Sequence, residues 1–390
     1  MFGVRCSARP WASAAQHSRA IDIRGTPSPL EWPASIQNWP DVSTPVLVLT
    51  PNLYGSDGIS RLARLVTGSF DDAAVLALHE SVGTSRFGDA TVQGAGGNRW
   101  RFVTSAFQTA ISANPRTRVI VTHLHLAPAA LPFMLRGIPV TTMLCGVEAW
   151  RRLSRLREVA LGRAAQLIAI SQFTRAGFLK ANPHFADRPV DVCHLGVGPL
   201  PGDDRTPVEP PTALIVGRMA RDERYKGHDL LLEIWREVVA AVPDAALRIV
   251  GDGDDRVRLE GKAASLALGD RVLFLGRLDD EALQREYERC TAFVMPSRNE
   301  GFGFVFVEAM RAARACVGSP GAAAEIIADG ETGLLVAPDD RTRLLETVVQ
   351  VLRDRPATAA MGARGRARFL QQFTEERFRD RFAALLPTAS

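Results

Sequence analysis

The sequence predicts an α/β fold of two doubly wound parallel-sheet domains facing a cleft, and three observations carry that prediction. Short apolar runs of strand length alternate with segments of helical periodicity, the pattern of parallel strands joined by crossover helices. The alternation occurs twice, on either side of Pro199 to Pro211, a stretch with five prolines and three acidic residues. The chain also has 390 residues, 46% hydrophobic and 23% charged, enough apolar surface for two cores of ordinary size.

In the first set, Val46 to Thr50 is a buried-strand run. Gly55-Ser56-Asp57-Gly58-Ile59 follows, and then Ile59, Leu62 and Val66 fall at helical spacing, giving a strand, glycine loop and helix. Further strands are expected at Ala74 to Leu78, Val119 to Thr122, Pro139 to Leu144, Leu167 to Ile170 and Val190 to His194. The second set opens with a strand at Ala213 to Val216 and a helix from about His228 to Val242. A strand at Ala246 to Val250 and a helix near Asp255 to Leu268 come next, then strands at Val272 to Leu275, Ala292 to Met295, Ala315 to Gly318 and Leu334 to Val336. The expected division is an irregular leader over 1–44, a first domain over 45–199 and a second over 200–369. A terminal helix over 370–390 is expected to pack back on the first.

Composition excludes several classes. No run of 18 or more apolar residues occurs, so no membrane-spanning helix is expected, and the first 40 residues lack the apolar core of a secretory signal. Five cysteines without C-x-x-C spacing argue against a disulfide framework or zinc site and fit a reducing cytoplasm. Residues 1–199 hold 20 Lys+Arg against 12 Asp+Glu, while the remainder is net acidic. That basic half suggests an anionic partner: a lipid diphosphate, a membrane surface or nucleic acid. Nucleic acid is disfavoured, because no basic tail, aromatic platform or nucleic-acid motif is present. The basic residues concentrate in Trp150 to Arg157, where Trp150, Leu153, Leu156 and Ala160 would share one helical face. Such a helix would lie peripherally on anionic lipid, or would be an ordinary core helix with a solvated arginine face.

The most informative stretch is Asn299 to Met310. It places Glu300 and Glu308 eight residues apart across a glycine-hinged loop that runs from a strand's carboxyl end into a helix. Amides around Gly303 and Phe304, added to the helix dipole, suit a diphosphate. A dinucleotide is disfavoured, since Gly251-Asp252-Gly253 is followed by Arg256 where a third glycine would stand. Asp252-Gly253-Asp254 looks like a metal-binding pair but sits at a strand-to-helix turn, where aspartates cap helices. Gly217-Arg218 ends one strand, and Lys226-Gly227 precedes the next helix. Only three lysines stand against 44 arginines in the chain, so Lys226 departs from its habit. An arginine fork and a lysine point charge would together stabilise a departing nucleoside diphosphate.

Residues 45 to 350 resemble glycosyltransferase family 4, the retaining nucleotide-sugar transferases of GT-B fold, including mannosyltransferases of bacterial exopolysaccharide assembly. The resemblance runs through Gly58-Ile59, Ser171 to Thr174, His194 to Val197, Gly217-Arg218 with Lys226-Gly227-His228, Gly251-Asp252-Gly253, Glu300 to Glu308 and Asp329 to Val336. It implies a metal-independent, cytoplasmic hexosyltransferase without a cofactor, and the basic first half adds a peripheral contact with the inner face of the membrane. The donor would be a nucleoside diphosphate sugar such as GDP-mannose, and the acceptor a glycan or lipid-linked oligosaccharide. By position it assigns Arg218 and Lys226 to the donor diphosphate, Glu308 to the ribose hydroxyls and Glu300 to the sugar beside its anomeric carbon. Phe302, Gly303 and Phe304 would offer amides, Gly58 the approaching loop, and the backbone near Arg277 and Leu278 the base contacts. Cys145 stands where the family often has a histidine; His123 or His125 on the preceding strand's end would supply an imidazole instead, or would be satisfied core histidines. Arg311 to Ala315 also departs from the family's usual turn. A catalytically weakened protein that binds nucleotide sugar or glycan for scaffolding or regulation is the alternative reading.

Overall fold

A computed structural model describes residues 46–198 and 210–386, so the expected leader and most of the proline-rich stretch lie outside the described residues. The described residues cluster as one compact unit that contains both sheets.

The first sheet begins with β1 (Val46–Thr50), whose five residues are all buried, as a strand covered on both faces requires. In chain order follow α1 (Gly58–Thr67), β2 (Ala73–Ala77), β3 (Gly83–Phe87), β4 (Ala90–Gly94), α2 (Arg99–Ser112) and β5 (Arg118–Val121). Then come α3 (Leu131–Leu135), β6 (Val140–Leu144), α4 (Arg155–Arg163), β7 (Gln166–Ala169), α5 (Gln172–Ala181) and β8 (Asp191–Val192). The spatial order is β3-β4-β2-β1-β5-β6-β7-β8, parallel except for the antiparallel β3–β4 pair. Two strands were not anticipated from sequence. Mostly exposed β3 has no apolar run, and its turn into β4 is carried by Gly88 at φ 56, a signal too short to stand out.

The second sheet comprises β9 (Thr212–Val216), α6 (His228–Ala241), β10 (Ala246–Val250), α7 (Arg256–Ser265), β11 (Val272–Gly276) and α8 (Asp280–Arg289). It continues with β12 (Ala292–Val294), α9 (Phe304–Arg311), β13 (Ala315–Gly318), α10 (Ala323–Ile326) and β14 (Gly333–Leu335). Its order is β11-β10-β9-β12-β13-β14, all parallel. Both sheets therefore reverse winding once: the first between β1 and β5, the second between β9 and β12. Ligands in open α/β sheets bind outside the strand carboxyl ends at such switch points.

Three helices finish the chain: α11 (Arg341–Arg353), α12 (Arg355–Gln372) and α13 (Glu375–Leu385). Helix α12 packs on α9 and β13. There Gly362 lies so near the turn at Ala313 that a Cβ would meet its carbonyl oxygen at 2.1 Å. Ala313 itself has φ 55, so the unusual Arg311 to Ala315 segment turns through the left-handed region without a glycine. Helix α13 contacts the first sheet's half. Phe382 meets Phe70 at 6.3 Å, Gln166 Nε2 donates to the Leu385 carbonyl at 2.7 Å, and Arg381 donates to the His194 carbonyl at 2.8 Å.

The expected helix from Trp150 is corrected. Helix α4 starts only at Arg155, and Trp150 instead packs on α5, where a Cβ on Gly177 would meet its ring at 2.3 Å. Leu153 is held by its amide on Asn182 Oδ1 at 3.0 Å, while Leu156 is 57% exposed rather than on a core face. Asn182 intercepts the backbone that a longer helix would have used.

Because Phe382 is fully buried between Phe70 and Phe378, Phe382→Ala should cost about 3–5 kcal/mol. Urea unfolding followed by circular dichroism reads this as an earlier first transition.

Candidate functional site

The two switch points face each other, and glycine makes the approach. Gly301, in the loop between β12 and α9, lies against the end of β6: a Cβ there would meet the Cys145 carbonyl oxygen at 2.3 Å and Gly146 Cα at 3.0 Å. The Gly301 carbonyl accepts from Ser171 Oγ at 2.5 Å and Thr174 Oγ1 at 3.0 Å. Ser171 is also the N-cap of α5, accepting from the Thr174 amide, so one hydroxyl begins a helix and holds the facing loop. His194 and Glu325 pair at 2.6 Å across the same junction. Glu325 further accepts the amides of Gln172 and Phe173 at 2.8 and 2.7 Å. Burial works to raise the Glu325 pKa, but these hydrogen bonds hold it below the usual carboxylate range.

Within the second sheet the loops after β9 and β12 are laced together. Gly227, at φ 93, packs so closely on Pro296 that a Cβ would meet the proline at 2.7 Å, and the Arg298 amide donates to the Tyr225 carbonyl at 3.0 Å. The result brings Lys226 to Glu300: Nζ lies 3.7 Å from Glu300 Oε1 and 3.6 Å from Glu223 Oε2. Ser297 Oγ donates to the same Glu300 oxygen at 3.2 Å. Arg218 reaches Glu223 from the other side, so one carboxylate bridges both cations. Arg218, Lys226 and Glu300 thus form one cluster at the β9–β12 switch point. Its surroundings are mixed, with the Arg218 side chain 65% exposed and that of Lys226 only 17%.

Glu308, on the second turn of α9, is 1% exposed. Tyr287 donates its hydroxyl to Glu308 Oε2 at 2.8 Å, and Arg61 of the first sheet's α1 pairs with Oε1. The same arginine lies over the Phe304 ring, 5.6 Å from its centroid, a cation–π arrangement. Gly58 stands at the start of α1, where a Cβ would touch Phe304 at 3.7 Å. Asp57 caps that helix by accepting the amides of Ile59 and Ser60. The structure therefore brings Gly58, Phe304 and Glu308 together through Arg61, which sequence reasoning missed. Only its place one turn after Gly58 was visible in the sequence; its meeting with Glu308 and Phe304 depends on how the two sheets face each other.

Gly303 has φ 100, and a Cβ would also strike Phe306 at 2.7 Å, so glycine is required where the loop enters α9. Phe302 is buried, its ring near His194, Phe304 and Phe373. Leu278, in the loop between β11 and α8, is partly buried against the core of the second sheet. His125 is exposed in the first turn of the 3-10 helix Leu124–Ala130 that follows β5, its ring edge-on to that of His123, the N-cap, at 4.7 Å. His123 Nε2 is 4.0 Å from Glu148 Oε1, the oxygen that accepts the Cys145 amide at 3.0 Å. Cys145 Sγ donates to the Thr122 carbonyl at 3.0 Å, and burial pushes its pKa well up, so the thiol is a neutral filler. These four residues close the β5–β6 end beneath Gly301.

Asp252 and Asp254 serve the backbone. Asp252 accepts from the Gly253 amide and Asp254 from the Arg221 amide, at 2.9 and 3.0 Å. Among the described residues no three His, Cys, Asp or Glu side chains converge as a metal-ligand set.

Comparison with known proteins places this geometry in context. Residues 203–368 match the family model described as glycosyl transferases group 1. A GDP-mannose-dependent monoacylated alpha-(1-6)-phosphatidylinositol monomannoside mannosyltransferase of Corynebacterium glutamicum is 31% identical over 56% of this chain and 61% of its own length. A lipopolysaccharide core biosynthesis mannosyltransferase of Rhizobium leguminosarum is 34% identical over 42% of this chain and 47% of its own. The chain thus spans less than two thirds of these curated relatives. Among solved structures, HepE of Anabaena in complex with UDP and glucose superposes with TM-score 0.69 and 19% identity, covering 87% of this chain and 98% of that one. The fold is GT-B.

Two buried histidines give the protein an acid limit. Burial lowers the pKa of His123, 8% exposed, and of His228, 3% exposed, from 6.5 to about 4. A histidine depressed in the folded state takes up its proton more readily when unfolded. Stability should therefore rise with pH between about 4 and 6.5 and be fully present above 6.5. Each histidine contributes about 3 kcal/mol at most, partly opposed by Glu148, whose pKa burial raises. Melting temperatures across this window should fall with acidity, and His228→Asn should flatten the slope; a flat wild-type profile contradicts the assignment.

Proposed function

We propose that this chain, a glycosyltransferase family 4-like protein of GT-B fold, is a retaining, metal-independent glycosyltransferase. It would move a hexose from a nucleoside diphosphate sugar to a glycan or lipid-linked acceptor. The observation that carries the reading is the convergence of Arg218, Lys226 and Glu300 at the β9–β12 switch point, beside the amino terminus of α9 and its buried Glu308. Mannose from GDP-mannose is the favoured donor, because the curated relatives above are named as mannosyltransferases, one of them GDP-mannose-dependent.

Each residue's chemistry follows from its place. As the glycosidic bond to the diphosphate breaks, negative charge grows on the departing oxygen. Arg218 and Lys226 would accept the phosphates in exchange for Glu223, the carboxylate they now share. The first amides of α9, opened by Gly303, add their dipole at the same place. Glu300, fixed by Ser297 and Lys226, supplies a carboxylate for the positive anomeric carbon, and Glu308 accepts ribose hydroxyls. Gly58, Phe302 and Phe304 shape the closing face, and the backbone at Leu278 reads the base. His125 would supply the imidazole that Cys145 cannot, from a 3-10 turn joined to Cys145 through His123 and Glu148.

Heat-shift measurements against GDP, UDP, ADP and their sugars test the reading. A ligand at 100 times its dissociation constant adds about 2.7 kcal/mol, and one base class should do so. No shift with any nucleotide contradicts the proposal.

Arg218→Ala or Lys226→Ala should each weaken nucleoside diphosphate binding by about 1.5–3 kcal/mol, the loss of a charged hydrogen bond, with the fold intact. Calorimetric titration reads this directly.

Glu300→Gln should abolish transfer at nearly unchanged nucleotide affinity, whereas Cys145→Ala should cost far less. Turnover with the donor found by heat shift separates them, since a group acting only in the transition state changes rate and not ground-state binding.

A further inference from the structure

Three aspartates stand between β10 and α7, and two of them bond nearby amides: Asp252 that of Gly253 and Asp254 that of Arg221. Asp255 does something else. It occupies the N-cap position of α7 without a side-chain capping bond, and it is 2% exposed. Its carboxylate is taken by two arginines instead. Arg224 donates to it from Nε at 2.9 Å and Nη2 at 2.6 Å, and Arg258, in the first turn of α7, does the same at 2.9 and 2.6 Å. Arg258 continues to Asp229 in the first turn of α6, reaching both carboxylate oxygens at 2.8 and 2.7 Å, and Lys262 adds a bond to Asp229 at 2.6 Å.

Lys226 stands between the two ends of this chain of charges. Arg224 comes before it and Asp229 after it, and both are tied to the start of α7. The 3-10 turn Arg221–Lys226 has no buried residue, so apolar packing does not fix its place. Polar ties do: Arg224 on Asp255, the Arg221 amide on Asp254, and the Arg298 amide on the Tyr225 carbonyl. Of these, the arginine fork on the buried carboxylate is charge-assisted and directional. A lysine is a point charge on a flexible four-carbon stem, so where its backbone is held decides what its ammonium can reach.

We propose that Asp255, acting through Arg224 and Arg258, is a positioning residue for Lys226. It holds the segment on either side of Lys226 against α7, so that the ammonium meets a diphosphate at the β9–β12 switch point without first being ordered by it. That role rests on the reading of this cleft as a diphosphate site. Ion pairs that only stabilised the fold would change the melting temperature and leave the affinity of the folded protein alone.

Calorimetric titration of the full chain with inorganic pyrophosphate, at about 0.15 M salt to screen distant charges, tests the proposal. Arg224→Ala cuts the tie at a half-exposed side chain and should weaken pyrophosphate binding about tenfold, with the melting temperature near the wild-type value. In a Lys226→Ala background the same change should cost less than about twofold, because a residue that acts through Lys226 has nothing left to place. A general loss of positive field would persist in that background. Arg224→Lys keeps the charge but not the fork and should bind nearly as weakly as Arg224→Ala. Asp255→Asn should reproduce the loss; if it does not fold, the Arg224 variants decide. Undiminished binding by Arg224→Ala, or an equal loss with and without Lys226, overturns the positioning role and leaves the transferase reading standing. Absence of both pyrophosphate and nucleotide binding by the wild type overturns the two together.

Discussion

The close approach of Gly301 to the end of β6 is the constraint from which the site follows. No side chain fits between that loop and the Cys145 carbonyl, so the two sheets meet backbone to backbone, and Ser171 and Thr174 lock the contact through the Gly301 carbonyl. Glu300 is the next residue back. Its position relative to the first sheet is therefore set by the main chain rather than by a flexible side chain, and Lys226 and Ser297 set it relative to the second. A part-buried carbonyl held by two hydroxyls resists displacement, so the main chain beside Glu300 is held rigidly.

Much of this was legible in the sequence, because the strands of both sheets are short, mostly apolar runs, and β9, β10, β11 and β13 of the second sheet end at or just before a glycine. Val46 to Thr50, Ala246 to Val250 and Ala315 to Gly318 fall where the periodicity put them. Arg218, Lys226 and Glu300 could be grouped because each follows a predicted strand or precedes a predicted helix, and the winding order then brings those ends together. Long-range partners left no such trace. Arg61 to Glu308 spans most of the chain and depends on how the sheets face each other, which no local pattern encodes. The same holds for His194 with Glu325. The segment from Trp150 was misread because helical spacing ignores Asn182, whose side chain bonds the backbone that would have joined the helix.

Arg61 gives the second carboxylate of the site a double character. With Tyr287 it occupies both oxygens of a nearly inaccessible Glu308, so a ribose would share or displace a cation contributed by the other sheet. On the proposed reading, donor binding and the mutual seating of the sheets would be coupled through this one carboxylate, and the coupling would be reciprocal. Cys145 fits the same economy of space: a thiol bonded to the Thr122 carbonyl fills the strand end and leaves polar work to His123, Glu148 and His125.

A crystal structure with a bound nucleoside diphosphate tests the central claim most directly. The account predicts the diphosphate within hydrogen-bond distance of Arg218 and Lys226, at the opening of α9, with the ribose hydroxyls on Glu308. A diphosphate bound elsewhere, with the Arg218, Lys226 and Glu223 cluster intact, would contradict it.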